Sequence, residues 1–438
     1  MIESLLPSFE GSEAPDWVRR LVSQGLGGVV LFGSNVRDTE QLAALTGSLR
    51  AENPDLLIAI DEEGGDVTRL HAHDGSPYPG NAALGAVDDV ELTERIGASI
   101  AAELAEVGVN LDLAPVADVN ADEANPVIGS RAFGADAELV SRHVAAFVRG
   151  LQSRGVAACA KHFPGHGATS QDSHLELATV SGDVADGLPP FRAAIAAGVQ
   201  SVMTAHVRVP ALGDDPATVN PSVLALLRDQ LGYDGLVIAD ALEMKGLSET
   251  VGVEDGAIRS LIAGVDALIV GRDLGVDAVT RVRQAIAARV PEERRAEAAA
   301  RVRRVARWAS PRAADPDPAL GLEAARRALR IEGDLSVDGP VEIVELRPDA
   351  NIAAGPAAHS LGDLIPSVAG GRPVLVVRDA HKHGWMRERI QAQPDAIVVE
   401  IGLPYWRPPA ARGYVATYGG SRASLEAVAE LLQARVAA

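Results

Sequence analysis

A (β/α)8 barrel of the TIM type followed by a smaller three-layer α/β domain is the fold class that this 438-residue sequence predicts. Three observations lead there. Short, nearly continuous apolar runs alternate with longer amphipathic stretches, as parallel strands covered by helices must. Eight such runs follow one another within roughly the first 300 residues, the length of one barrel. Polar residues with chemical potential come directly after many of the runs, and no GxGxxG loop follows an early strand, which counts against an open dinucleotide-binding sheet.

In chain order the runs are SLLPSF, GGVVLFG, LLIAID, VNLDLAPV, VAACAKHF, VQSVMTAHV, GLVIAD and GVDALIVG. Between them DTEQLAALTGSLRA, DDVELTERIGASIAAELAEVG, DAELVSRHVAAFVRGLQSRG and NPSVLALLRDQLG return an apolar residue every three or four positions, which lines one helix face. The helical stretch EERRAEAAARVRRVARWA ends the barrel and sets its extent at 1–310. ASPRAADPDPAL, with three prolines, marks a linker at 311–322. EAARRALRIEG, PVEIVELRP, GRPVLVVRD, DAIVVEIGL, GYVATYGG and SRASLEAVAELLQARV then compose a C-terminal α/β domain at 323–438. Its HKHGWM and LPYWRPP segments read as structural packing by default, with a rim or an oligomer contact as the alternatives.

Composition narrows the function. With 47% hydrophobic and 23% charged residues the chain is globular. A net charge of −20 disfavours nucleic acid and anionic membrane surfaces as partners, because phosphates are repelled, while neutral sugars are unaffected. No run of about eighteen apolar residues occurs, and MIESLLPSFEGSEAPDW lacks a basic region followed by a long apolar stretch, so a cytoplasmic address is expected. Cys159, the single cysteine, lies in VAACA and reads as buried.

The candidate site is read from strand ends. Asp61 is the first polar residue after LLIAI, placed to accept two sugar hydroxyl protons in a fork, and Arg69 supplies complementary donors. Arg131 lies in the turn NPVIGSRAFG, where a guanidinium can enter a pocket. Lys161 and His162 end the fifth strand; neighbouring strand residues face opposite ways, so both meet a ligand only where strand gives way to loop. Beyond the glycines of KHFPGHG come Asp172 and His174, two apart in an extended stretch, so that the carboxylate can hold one ring nitrogen and aim the other. His206 in MTAHV is at least as well explained as a core histidine. Asp240 follows GLVIA at the mouth of the barrel, isolated enough to act as a nucleophile.

Two other chemistries compete for these residues. A metal-dependent hydrolase on the same barrel would draw on His71, His73, Lys161, His162 or His166, His206 and Asp240, but the HAH pair lies ten residues past its strand. A phosphate loop is unsupported because the GKS/T ending and helix start are missing. A purely sugar-binding protein would leave the carboxylate and the Asp-His pair without a role.

KHFPGHGATSQDSH, IDEEGG, NPVIGSRAFG, MTAHV and IADALEM resemble the motifs of glycoside hydrolase family 3, in its β-N-acetylglucosaminidase branch. The resemblance spans residues 1–310 and is most specific from KHFPGHG to DSH. It implies a retaining exo-β-N-acetylglucosaminidase acting on peptidoglycan fragments through a covalent glycosyl-aspartate on Asp240. His174 would be the general acid/base with Asp172 its partner, and Asp61, Arg69, Arg131, Lys161 and His162 would hold the sugar. No cofactor and no metal are implied. A phosphorylase and a β-glucosidase are the alternatives within the family. The β-glucosidase branch usually carries Asp-Trp at the nucleophile, whereas Ala241 follows Asp240 here, which favours N-acetylglucosamine over glucose. A histidine donor becomes neutral on losing its proton, so an anionic acceptor such as phosphate can compete with water. Two positions depart from the pattern: Ala168, where many relatives have an acid, and Asp66, where an arginine often follows EGG.

Overall fold

The computed structural model of the chain describes residues 2–271, 274–337, 339–348, 352–353, 359–409 and 411–436. Eight of its strands form the barrel: β1 (Leu5–Pro7), β2 (Gly28–Leu31), β3 (Leu57–Ile60), β4 (Leu111–Asp112), β5 (Ala157–Phe163), β6 (Ser201–Thr204), β7 (Leu236–Ala239) and β8 (Ala267–Val270). They are laddered in the order β1-β8-β7-β6-β5-β4-β3-β2, and every pair is parallel. β1 and β2, the two ends of that order, lie beside each other, so the sheet is a nearly closed ring.

Strand alternation divides the apolar residues into two shells. Leu6, Val30, Leu57, Cys159, Met203 and Ile238 point into the barrel. Their neighbours Leu5, Val29, Ile58, Ala158, Val202 and Val237 point out to the helices. Both faces are therefore apolar, which is why the strands read as unbroken hydrophobic runs. The buried Cys159 thiol, pushed up to about 12 by desolvation, is packing material.

Helices follow the strands, and three start the same way. Asp38, Asp89 and Asp136 each accept a backbone N–H from the first turn of the helices Thr39–Glu52, Val90–Glu106 and Ala137–Ser153. The helix Glu292–Trp308 inserts Val302, Val305 and Ala306 into the inner shell. Its Arg303 pairs with Glu3 and its Arg307 with Asp55, residues that precede β1 and β3. That end of the barrel is thereby plugged, and the end where the strands finish is left for a site.

The second domain is a sheet of β9 (Arg330–Gly333), β10 (Val341–Leu346), β11 (Arg372–Val377), β12 (Ile397–Glu400) and β13 (Gly413–Ala416) in the order β9-β13-β12-β11-β10. Only β9 runs antiparallel to its neighbour. Leu425 and Val428 of the helix Arg422–Val436 cover one face, and Met386 and Ile390 of Gly384–Gln391 cover the other, giving the expected three layers. The stretch expected as linker, 311–322, is helical from Ala319: the helix Ala319–Ala328 starts where the prolines stop. It buries Leu320, Ala324 and Ala325 between the barrel helices and Arg422–Val436, so the end of that stretch is packed, while most of the proline-bearing part before it is exposed.

Candidate active site

One cavity of about 1000 Å³ opens at the finishing ends of the barrel strands. Asp61, Arg69, Arg131, Lys161, His162, His174 and Asp240 all line it, and Asp172 stands behind His174. Its floor is the inner shell, including Val30, Leu113, Met203 and Ile269. Part of its wall comes from the second domain, including Arg347, His359 and Arg378.

A buried ion cluster forms one side. Lys161 Nζ donates to Asp61 Oδ1 at 2.6 Å and stands 2.7 Å from Glu63 Oε1. Arg131 holds Glu63 with two parallel bonds, Nε to Oε2 at 3.0 Å and Nη2 to Oε1 at 2.8 Å. Arg69 Nη2 lies 3.5 Å from Asp61 Oδ2. Burial works to raise both acids, but Lys161 and Arg69 hold Asp61 well below the usual carboxylate range, and Arg131 and Lys161 hold Glu63 at about 2. The cluster is thus fully charged at neutral pH, with oxygens and N–H groups fixed for hydroxyls to replace or join.

His162 shares this wall. Its Nδ1 is 2.7 Å from Asp118 Oδ2; the carboxylate accepts, so Nδ1 carries the proton and Nε2 is left as an acceptor, facing Arg131 Nη2 at 3.4 Å. Strict alternation would have turned either Lys161 or His162 away from the cavity. The register of β5 against β6 shifts between Ala160 and Phe163, and at that irregularity both side chains reach the same space.

The loop after β5 brings an imidazole to the cavity. Asp172 Oδ1 accepts both the His174 backbone N–H at 2.8 Å and its ring Nδ1–H at 2.7 Å, which leaves Nε2 directed elsewhere. The loop is held by His166, whose Nε2 meets Ser173 Oγ at 2.8 Å and whose Nδ1 meets Thr169 Oγ1 at 2.9 Å. Burial lowers the His166 ring to about 4, so it stays neutral, a fixed spacer. Gly167 allows the loop to press on the Val119 carbonyl, where a Cβ would collide. The expected Asp-His geometry is present.

Asp240 lies one residue beyond β7 and takes the Ala241 backbone N–H on Oδ1 at 2.8 Å. Burial acts to raise its carboxyl, but the His206, His162 and His174 rings outweigh that and set it below the ordinary carboxylate value. His206 is fully buried, bonded to Thr218 Oγ1 at 2.9 Å and the Ala241 carbonyl at 3.0 Å. It is a packed histidine that braces the strand end carrying Asp240.

The metal-cradle alternative is not assembled. His71 Nε2 pairs with Glu103 at 3.0 Å and His73 Nε2 faces the Val36 carbonyl at 3.3 Å, while among the described residues no group of three or more His, Cys, Asp or Glu gathers around a point. Sequence reasoning passed over Glu63, which bridges Lys161 and Arg131, and Asp118, which holds His162 and the His166 N–H at 2.6 Å. The doubled acid before Gly64-Gly65 was a signal for the first; the VADVN run gave none for the second. Asp66, one of the two departures, pairs with Arg378 of the second domain. HKHGWM turns inward: His381 and Lys382 bond to the carbonyls of Glu123 and Asn125 on the barrel, a contact between domains.

Residues 7–307 match Glycosyl hydrolase family 3 N terminal domain. A beta-hexosaminidase of Vibrio cholerae serotype O1 (strain M66-2) is 40% identical over 250 residues, 56% of this chain and 75% of that relative. Beta-hexosaminidase A of Pseudoalteromonas piscicida is 35% identical over 281 residues, 58% of this chain but 47% of that protein, so the chain spans about half of its length. The solved structure of a glycoside hydrolase family 3 beta-N-acetylglucosaminidase from Paenibacillus sp. str. FPU-7 superposes with a TM-score of 0.88 at 31% identity, covering 99% of this chain and 96% of that one.

Proposed function

Because the chain belongs to glycoside hydrolase family 3 and is therefore a glycoside hydrolase, we propose that it releases terminal β-linked N-acetylglucosamine with retention of configuration. The observation that carries this reading is the shared cavity: a partly buried carboxylate and a carboxylate-oriented imidazole face one space beside a cluster of fixed charges. The similar beta-hexosaminidases and the similar beta-N-acetylglucosaminidase structure support the choice of sugar.

The first step forms a bond from an Asp240 oxygen to the anomeric carbon as the bond to the leaving oxygen breaks. The His174 Nε2 proton moves to that oxygen, and Asp172 stabilises the imidazolium from which it departs. Positive charge builds on the ring between the two events, and an ionised Asp240 beneath it lowers the barrel's barrier to that charge. In the second step His174 takes a proton from water as the oxygen attacks the same carbon and Asp240 leaves. Asp61, Arg69, Arg131, Lys161 and His162 fix the sugar hydroxyls through both steps, so that the carbon stays aligned with the carboxylate. Neutral imidazole adds no second anion opposite Asp240, so phosphate is an admissible acceptor in place of water. Cell-wall fragments ending in N-acetylglucosamine are the substrate class that we assign.

A panel of aryl β-glycosides tests the reading. N-acetylglucosaminides should turn over and glucosides far less, and added phosphate should divert product to the sugar phosphate if it is accepted. Asp240→Ala should lower kcat by about four powers of ten or more, because the covalent route is gone. His174→Ala should leave aryl glycosides with acidic leaving groups nearly intact and suppress those with poor ones, since only the latter need protonation. Equal losses on both classes would remove His174 from the acid role.

A further inference from the structure

The cavity wall contributed by the second domain is fastened to the loops that carry the sugar-holding cluster. Arg378, the first residue beyond β11, places Nη1 and Nη2 on the two carboxylate oxygens of Asp66 at 2.8 and 2.7 Å. The same carboxylate accepts the Ser130 hydroxyl at 2.9 Å and the Gly420 backbone N–H at 3.1 Å. One partly buried group thus ties together the loop after β3, the loop after β4 and the turn before the last helix. The first two each carry a charge of the cluster beside the tie: Glu63, which backs Arg131 and Lys161, lies three residues before Asp66, and Arg131, which lines the cavity, adjoins Ser130. The Glu63–Arg131 pair spans those two loops. A second strap crosses nearby, where Arg69 Nη2 donates to the Ala353 carbonyl at 3.1 Å.

The side that presents Arg378 is itself rigid. Glu400, buried at the end of β12, accepts the backbone N–H groups of Asp379, Ala380 and Gly402 at 2.8, 3.1 and 2.7 Å. A guanidinium that grips both oxygens of a carboxylate fixes direction as well as distance, which one lysine nitrogen cannot do.

We propose that Arg378 is a positioning residue of the sugar site: acting through Asp66, it sets the spacing between the loop bearing Glu63 and the loop bearing Arg131, so the second domain governs sugar binding without touching the reacting atoms. This rests on the assignment of Arg131 and Asp61 to sugar binding under the proposed function.

Steady-state kinetics on the full chain, with an aryl N-acetyl-β-glucosaminide, test it in the wild type, Arg378→Ala, Arg378→Lys, Asp66→Asn and the double variant Asp66→Asn/Arg378→Ala. Arg327→Ala is the control, since Arg327 also crosses the domains, to Asp89 at 2.8 Å, but lies outside the cavity. Misplacing binding groups by a fraction of an ångström should raise KM about tenfold in Arg378→Ala while kcat changes about threefold or less. The double variant should be no worse than the poorer single one, because the same ion pair is lost in all three. Arg327→Ala should leave KM unchanged. If Arg378→Ala does not fold, Arg378→Lys decides, with a KM raised severalfold as the supporting result. An unchanged KM in a folded Arg378 variant, whatever its melting temperature, overturns the proposal, and so does a loss confined to kcat. Should the wild type cleave a different aryl glycoside, the assigned sugar is wrong, and the Arg378 comparison is then made on that glycoside.

Discussion

His166 lines the cavity without a part in the proposed chemistry, yet its burial makes the site sensitive to acid. Its ring is pushed from 6.5 to about 4 by desolvation, so between those values the unfolded chain binds a proton that the folded one refuses. Stability therefore falls as pH drops from about 6.5 to 4, by on the order of 3 kcal/mol, and this contribution is flat below. Glu63 adds a second stage: its folded value of about 2 lies below its ordinary 4.5, so its stabilisation is complete above 4.5 and vanishes as pH falls through 2. Melting temperature followed against pH should decline in both windows, and His166→Asn should flatten the upper one. A variant with the wild-type slope there would mean the neutral ring is not what couples pH to folding. Asp61, Asp240 and the Asp172-His174 pair were legible at this scale because each follows a strand end or sits at a fixed offset in an extended stretch. Asp118 was not, since its partner His162 is 44 residues away and nothing local marks the pairing.

At the scale of elements, the loop after β3 depends on backbone that only glycine tolerates. Gly65 has a φ of +62°, and a Cβ there would stand 2.7 Å from the Gly80 Cα. The close crossing seats Glu63 against Arg131 and Lys161, so Gly65→Ala should cost about 2 to 4 kcal/mol and raise KM together, as read by denaturant unfolding and kinetics. A stable variant with wild-type KM would show that the loop can be rebuilt without the crossing. The barrel strands were readable from their double-faced burial and the helices from their apolar spacing. The fifth strand was readable only in part: periodicity gives its length but not the register irregularity that brings Lys161 and His162 to one side.

For the whole molecule, the plugged end and the open end of the barrel decide where chemistry can occur, and the second domain completes the open end. That completion was hidden in the sequence because its main tie joins Asp66 to Arg378 across 312 positions: Asp66 stands out only as a departure from the family pattern, and nothing marks Arg378 as its partner. Composition and periodicity describe each domain by its own core, and say nothing of which polar residues meet between them. We propose that groups from distant strand ends act on one anomeric carbon, with an Asp240 oxygen as the atom that bonds to it. Incubation with a fluorinated N-acetylglucosaminyl fluoride, whose electron-poor ring slows both steps while its fluoride leaving group keeps the first one fast, followed by mass spectrometry of the intact and digested protein, tests this directly. A stoichiometric gain of one sugar unit, located on Asp240 and absent from Asp240→Ala, is the expected result. Steady turnover with no adduct, or an adduct on another residue, would contradict it.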